Sequence, residues 1–290
     1  MEAVQELTAG LQQGQAAAIQ RGAYLLELSL DWIVLRASEN IHRLLHESHV
    51  TLIDEPLGRF VHAQALHDLR NLFSRLSGTT GIARAYQVRL TDDHDLYDVA
   101  FQQIEERVLL EAVPSPSEGF GEAFGSVGGL AAGLAGESGK KLFDAAARRM
   151  RALTAFDRVT LLAGHFKSTS SRTGVPFRSG ANATLSDDFP ALVPESAASA
   201  VPVFPRKDED TVIANALLRA PSTEQAAELS DRGFASTMRI PVKIGGKKAG
   251  EFRLAHTKAV MPNFELHAAA ELFAQMFAMR LEIDRLKSGD

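Results

Sequence analysis

Short runs rich in β-branched and aromatic residues, YLLELSLDWIVLRAS from Tyr24, ARAYQVRLTDD from Ala83 and DLYDVAFQQIEERVLLEAV from Asp95, predict strands. Helical pieces are expected between them, over 38–46 and 60–76. Val4, Leu7 and Leu11 fall at helical spacing among Gln and Ala and predict a short amphipathic helix over 1–20. Further along, KLFDAAARRMRAL reads as a helix leading into the strand FDRVTLL, which ends at Leu162. TMRIPVKI and GEFRLAH flank GGKK at 245–248, the pattern of a hairpin, so these strands are expected to be antiparallel neighbours. The final helix is expected from Asn263 to Leu286.

That helix carries two apolar stripes. Leu272, Met276, Met279, Ile283 and Leu286 advance by 4, 3, 4 and 3 residues, the spacing of a two-helix seam. Leu266, Ala270, Phe273, Phe277 and Leu281 form the second stripe, expected to pack on the protein's own sheet. A homodimer joined through the first stripe follows as an expectation. The stretch 114–139, PSPSEGFGEAFGSVGGLAAGLAGESG, is rich in Gly and Ser with little charge and reads as a flexible linker. Its end, GESGKKL, lacks the glycine and the hydroxyl residue that a phosphate-binding loop requires. The chain therefore divides into an extension over 1–20, a first domain over 21–113, the linker, and a second domain over 140–290.

Composition narrows the chemistry. A length of 290 residues allows about two domains of roughly 100 to 200 residues each. A net charge of -5 offers no broad attraction for nucleic acid or anionic membrane, and neither partner is expected. No apolar run approaches the roughly 20 residues needed to span a bilayer, and MEAVQEL lacks the basic start of a signal peptide, so a cytoplasmic protein is expected. The absence of cysteine removes disulfides, thiolate metal sites, cysteine nucleophiles and thioether attachment. His42 and His46 have the spacing of a helical metal pair, but no accompanying glutamate or thiolate supports a site. No GxSxG elbow occurs, and no enzyme is expected.

Residues 217–256, LLRAPSTEQAAELSDRGFASTMRIPVKIGGKKAGEFRLAH, resemble the pigment-pocket half of a bacteriophytochrome GAF domain. LTAFDRVTLL at 153–162 resembles that family's opening GAF strand, and AIQRGAYLLEL at 18–28 the start of its PAS domain. The resemblance implies an α+β fold: a PAS domain followed by a GAF domain, each an antiparallel sheet flanked by helices. It also implies a bilin pocket, and most of its positions hold the wrong residue here. Thr8 stands nearest the attachment cysteine, and a threonine hydroxyl is a poor nucleophile near neutral pH. SDDFP is similar to the family's Asp-Ile-Pro motif, with Asp187 or Asp188 as the counterpart of its aspartate. Arg219 matches the arginine that clamps a propionate. Gln225 replaces one pocket histidine, Ala255 replaces the other with His256 beside it, and Leu162 replaces a tyrosine. Adjacent strand residues face opposite ways, so His256 reaches the pocket only if the register slips. The segment between Pro190 and Leu217 is shorter than the loop that forms the family's knot.

These departures favour a phytochrome-like regulatory module without covalent chromophore, signalling in trans by contact with another protein. The alternative is a photoreceptor or sensor that holds biliverdin, haem or another anionic ligand noncovalently. Its pocket would use Arg219, Asp187, Asp188, Gln225 and His256.

Overall fold

The computed structural model describes residues 17–76, 81–117, 119, 121–175, 189–207, 210–261 and 263–288. Its strands are β1 (Ala18–Ile19), β2 (Tyr24–Ser29), β3 (Val34–Ser38), β4 (Ile82–Val88), β5 (Tyr97–Ile104), β6 (Arg107–Pro114), β7 (Arg158–Ala163), β8 (Phe166–Ser171), β9 (Leu192–Val193), β10 (Val201–Phe204), β11 (Ser236–Ile244) and β12 (Lys247–His256). Its longer helices are α1 (Ala63–Ser74), α2 (Glu122–Ala132), α3 (Gly139–Thr154), α4 (Thr223–Arg232) and α5 (Phe264–Ser288). Two compact units result, Met1–Ser115 with Ala198–Glu224, and Pro116–Ala197 with Gln225–Asp290. The α+β architecture of two antiparallel sheets flanked by helices is the one expected.

In the first unit the sheet runs β1-β10-β3-β2-β6-β5-β4. Period-two alternation gives each strand one apolar face. Leu26, Leu28, Val34, Val99, Phe101, Val108 and Leu110 pack together there, with Leu69 of α1. The opposite face bears Glu27, Arg36 and Glu111, all buried. Residues 201–218 supply their partners. Arg36 donates to the Pro205 carbonyl and lies 2.6 Å from Asp210. Lys207 donates to Glu27 at 3.1 Å, and Gln102 donates to the Asn215 carbonyl. This segment was expected within the second domain. Pairings that join residues nearly 200 positions apart, such as Ala18 with Pro202, put it in the first unit instead.

In the second unit the sheet runs β8-β7-β12-β11-β9. Gly245 and Gly246, with φ of 56° and 78°, close the expected hairpin in the left-handed region that favours glycine. Phe143, Phe252, Phe273 and Phe277 bring α3 and α5 onto one face of the sheet. At Gly250 a side chain would meet the Leu162 carbonyl oxygen at 2.5 Å, so β12 and β7 are in close backbone contact. Gly250→Ala is expected to destabilise this unit by about 1 to 3 kcal/mol, in the range of overpacking, measured by urea unfolding.

The clearest departure from the local expectations is the linker. The stretch expected as a linker holds α2. The Gly121 amide donates to Glu265, Val127 is buried, and the Arg149 guanidinium lies against Gly133 at the C-terminal end. Tertiary contacts thus override the low helix propensity of glycine. The helical piece expected at 38–46 is present as a 3-10 turn, Glu39–Ile41, running into a short helix, His42–Leu45, and it ends at His46, which adopts φ 59°. His42 and His46 therefore do not share a helix face, and His46 meets Asp93 at 2.6 Å. Among the described residues no cluster of His, Cys, Asp or Glu is suited to a metal, and no helix is long and apolar enough to cross a membrane. Val4, Leu7, Thr8 and Leu11 lie outside the described residues, and the end of the helix expected over 1–20 is strand β1.

Candidate functional site

The face of the second sheet that bears Leu162 and Ala255 is the one the resemblance assigns to a chromophore. The register fixes what else it carries. Thr237 pairs with Ala255, Arg239 with Arg253 and Pro241 with Glu251, while Leu162 of β7 lies opposite Glu251. Glu251, Arg239 and Arg253 therefore share that face.

They form a buried ionic lattice. Arg239 donates to Glu251 Oε1 at 2.7 Å and Arg253 to Oε2 at 2.5 Å, with Lys248 at 3.2 Å. Arg239 also donates to the Phe189 carbonyl at 2.8 Å, tying β11 to the chain just before β9. Burial by itself would raise the Glu251 carboxyl. The hydrogen bonds and charges of Arg239 and Arg253 outweigh it and hold the group below its ordinary value.

Beside the lattice, Ala255 sits in an apolar cluster with Phe189, Val193, Leu229 and Phe234. Gln225, on the same helix as Leu229, is also buried. Neutral and apolar groups thus occupy both positions where the resemblance places histidines.

His256 does not stand in for Ala255. It belongs to the other face, where its ring meets Phe156 and borders a cavity of about 130 Å³ with Met238 and Leu266. Its Nδ1 accepts from the Lys258 amide at 3.0 Å and lies 3.1 Å from Asp157. Burial opposes ionisation of Asp157. Two hydrogen bonds from Thr257 and the charge of Arg172 nevertheless hold its carboxyl low. His256 thus serves the strand end rather than the face that bears Leu162 and Ala255, and no slip of register redirects it.

Arg219 belongs to the first unit, where it bridges Ile19, and its carbonyl accepts from Gln20. Asp187 and Asp188 lie outside the described residues. On α5 the two stripes differ in burial along most of their length. Ala270, Phe273 and Phe277 are buried and Leu266 and Leu281 half-buried, whereas Leu272, Met279, Ile283 and Leu286 are 39–81% exposed and Met276 is half-buried.

Sequence reasoning missed the ionic lattice. An Arg on β11 and an alternating Glu and Arg on β12 were its only signals.

No protein-family model and no curated protein matches the sequence. Solved structures do match. The chain is similar to the chromophore-binding domain of an unusual bacteriophytochrome from R. palustris, with a TM-score of 0.74 and 19% identity over 95% of this chain and 97% of that one. It is similar to the same domain of a Stigmatella aurantiaca bacteriophytochrome in the Pr state, with a TM-score of 0.75 and 20% identity over 93% and 97%. A longer R. palustris bacteriophytochrome structure gives a TM-score of 0.76 at 19% identity, covering 97% of this chain and 62% of that one. At these identities the likeness shows the fold, which is that of the bacteriophytochrome chromophore-binding domain.

Proposed function

We propose that this chain is a phytochrome-like regulatory module that carries no covalent chromophore and signals in trans through protein contact. The observation that carries the reading is the chromophore face itself, where the Arg239–Glu251–Arg253 lattice and the cluster around Ala255 stand in place of a polar pigment site. The absence of cysteine supports the loss of the thioether. In this reading the chain has no catalytic role, works in the cytoplasm, binds neither nucleic acid nor membrane, and is a homodimer through the exposed stripe of α5. The output, in this reading, passes through contact with another protein. Incubation with biliverdin, denaturation and zinc staining test the covalent part: a dark protein band is expected, and a fluorescent one overturns it.

A second reading, noncovalent binding of biliverdin or haem, is favoured by Arg219 and by the chromophore-binding domains whose fold the chain shares. A bidentate guanidinium–carboxylate contact contributes about 1.5 to 3 kcal/mol, so this reading requires Arg219→Ala to weaken tetrapyrrole affinity by roughly 10- to 150-fold.

A further inference from the structure

Glu111 lies in the middle of the first sheet, opposite Ala100 on β5 and Leu25 on β2, and is 2% exposed. Its two oxygens accept from consecutive backbone amides, Leu217 to Oε2 at 2.9 Å and Leu218 to Oε1 at 2.8 Å. The amides belong to the segment that pairs with the chain's first strand. Gln20 donates to the Leu218 carbonyl, Ala220 donates to that of Ala18, and the Gln20 side chain donates to that of Arg219. One carboxyl thus anchors residues 217–218, and these in turn hold residues 18–20.

We propose that Glu111 is a proton-gated latch: segment 217–220 is held most firmly while Glu111 carries a proton, and it loosens, together with residues 18–20, as that proton leaves.

The sign follows from solvation. A carboxylate sealed from water and served by two uncharged amides recovers only part of its lost hydration, so the closed segment favours the protonated acid. Burial accordingly pushes the Glu111 carboxyl up to about 7, against the opposing pull of the Leu218 and Leu217 amides and the Arg84 charge. An opened segment lets water reach the group and returns it toward its ordinary value of 4.5. A group whose closed-state value is raised favours closure below the open-state value. That preference is lost as pH rises through about 7 and amounts to about 300-fold at most.

The face that bears Glu111 carries Glu27, Arg36, Arg84, Asp98 and Arg107, and the segment brings Lys207, Asp210 and Arg219. Glu27 is met by Arg36, Lys207 and Arg107. Arg36 also meets Asp210. Asp98 accepts from the Gln87 amide and the Ser115 hydroxyl. No histidine stands among them.

Amide exchange on the full chain tests the latch, with each rate corrected for its intrinsic dependence on pH. Between pH 5.5 and 8.5, protection of peptides covering 216–221 and 17–21 is expected to fall by about 30-fold while β5 and β6 hold theirs. In Glu111→Gln, which cannot ionise, the same peptides are expected to vary less than about threefold. An equal fall in the variant overturns the proposal, as does constant protection in the wild type. Where the variant does not fold, the wild type decides alone. A fall confined to the two peptides supports the latch, and a fall shared by β5 and β6 is global unfolding and overturns it.

Discussion

Glu251→Gln is expected to destabilise the second unit by about 3 to 5 kcal/mol, the range for breaking a buried ion pair from one side. The substitution barely changes volume, so the loss comes from charge. In the native lattice one carboxylate serves Arg239 and Arg253, whose side chains are 7% and 12% exposed. Without it, two guanidiniums share a buried face with no anion between them. For a unit of this size a midpoint lower by roughly 8 to 16 °C is the corresponding thermal result. The pH dependence gives a second readout. Because the fold holds the Glu251 carboxyl below its ordinary value, its contribution is complete at neutral pH and is lost as pH falls through the acid range. The Gln variant is therefore expected to lack that part of the acid sensitivity. A midpoint within about 2 °C of wild type would show that the lattice is solvated and offers no barrier to a ligand.

Changing Met279 and Ile283 together to Glu is expected to convert a dimer into a folded monomer. These residues are 54% and 47% exposed, on a different stripe from the one that packs against the sheet. Leu272 and Leu286 extend the same stripe along α5. A helix with one buried apolar face has no use for a second one in water, so a partner helix is the economical cover for it. Across a two-fold seam each Glu would face its own copy, and like charges at successive layers oppose association without touching the core. Light scattering should give twice the 31.4 kDa chain mass for the wild type and a single chain mass for the variant. Circular dichroism of both should be the same. A monomeric wild type rejects the seam, and a variant that unfolds shows that the stripe belongs to its own domain.

Features governed by local rules were legible in the sequence. The period-two runs gave the strands, Gly245 and Gly246 gave the hairpin turn, and spacing alone separated the two stripes of α5. Features governed by long-range pairing were not. The strand register near the turn pairs Lys243 with Lys248, but the bulge passes over Ala249, so Val242 pairs with Gly250. Only after that shift does Arg239 fall opposite Arg253 and beside Glu251. An unbulged hairpin would have put Arg239 opposite Phe252, which hides the lattice from any count along the chain. Helix α2 was masked by its glycines, whose local cost is overcome by Glu265 more than a hundred positions later. The place of residues 198–224 depended on charges such as Arg36 and Asp210 finding one another across the fold. The resemblance put Gln225 and Ala255 at positions where it implies histidines, but that Ala255 lies in a packed apolar cluster was not visible along the chain.

The most direct test is a visible absorption titration of the purified protein with biliverdin, in the dark and after red light. A chromophore face occupied by the protein's own side chains should leave the spectrum that of free pigment at every ratio, with no response to light. A sharpened red band that saturates at one pigment per chain contradicts that expectation, and reversible photoconversion of such a band would establish a working photoreceptor instead.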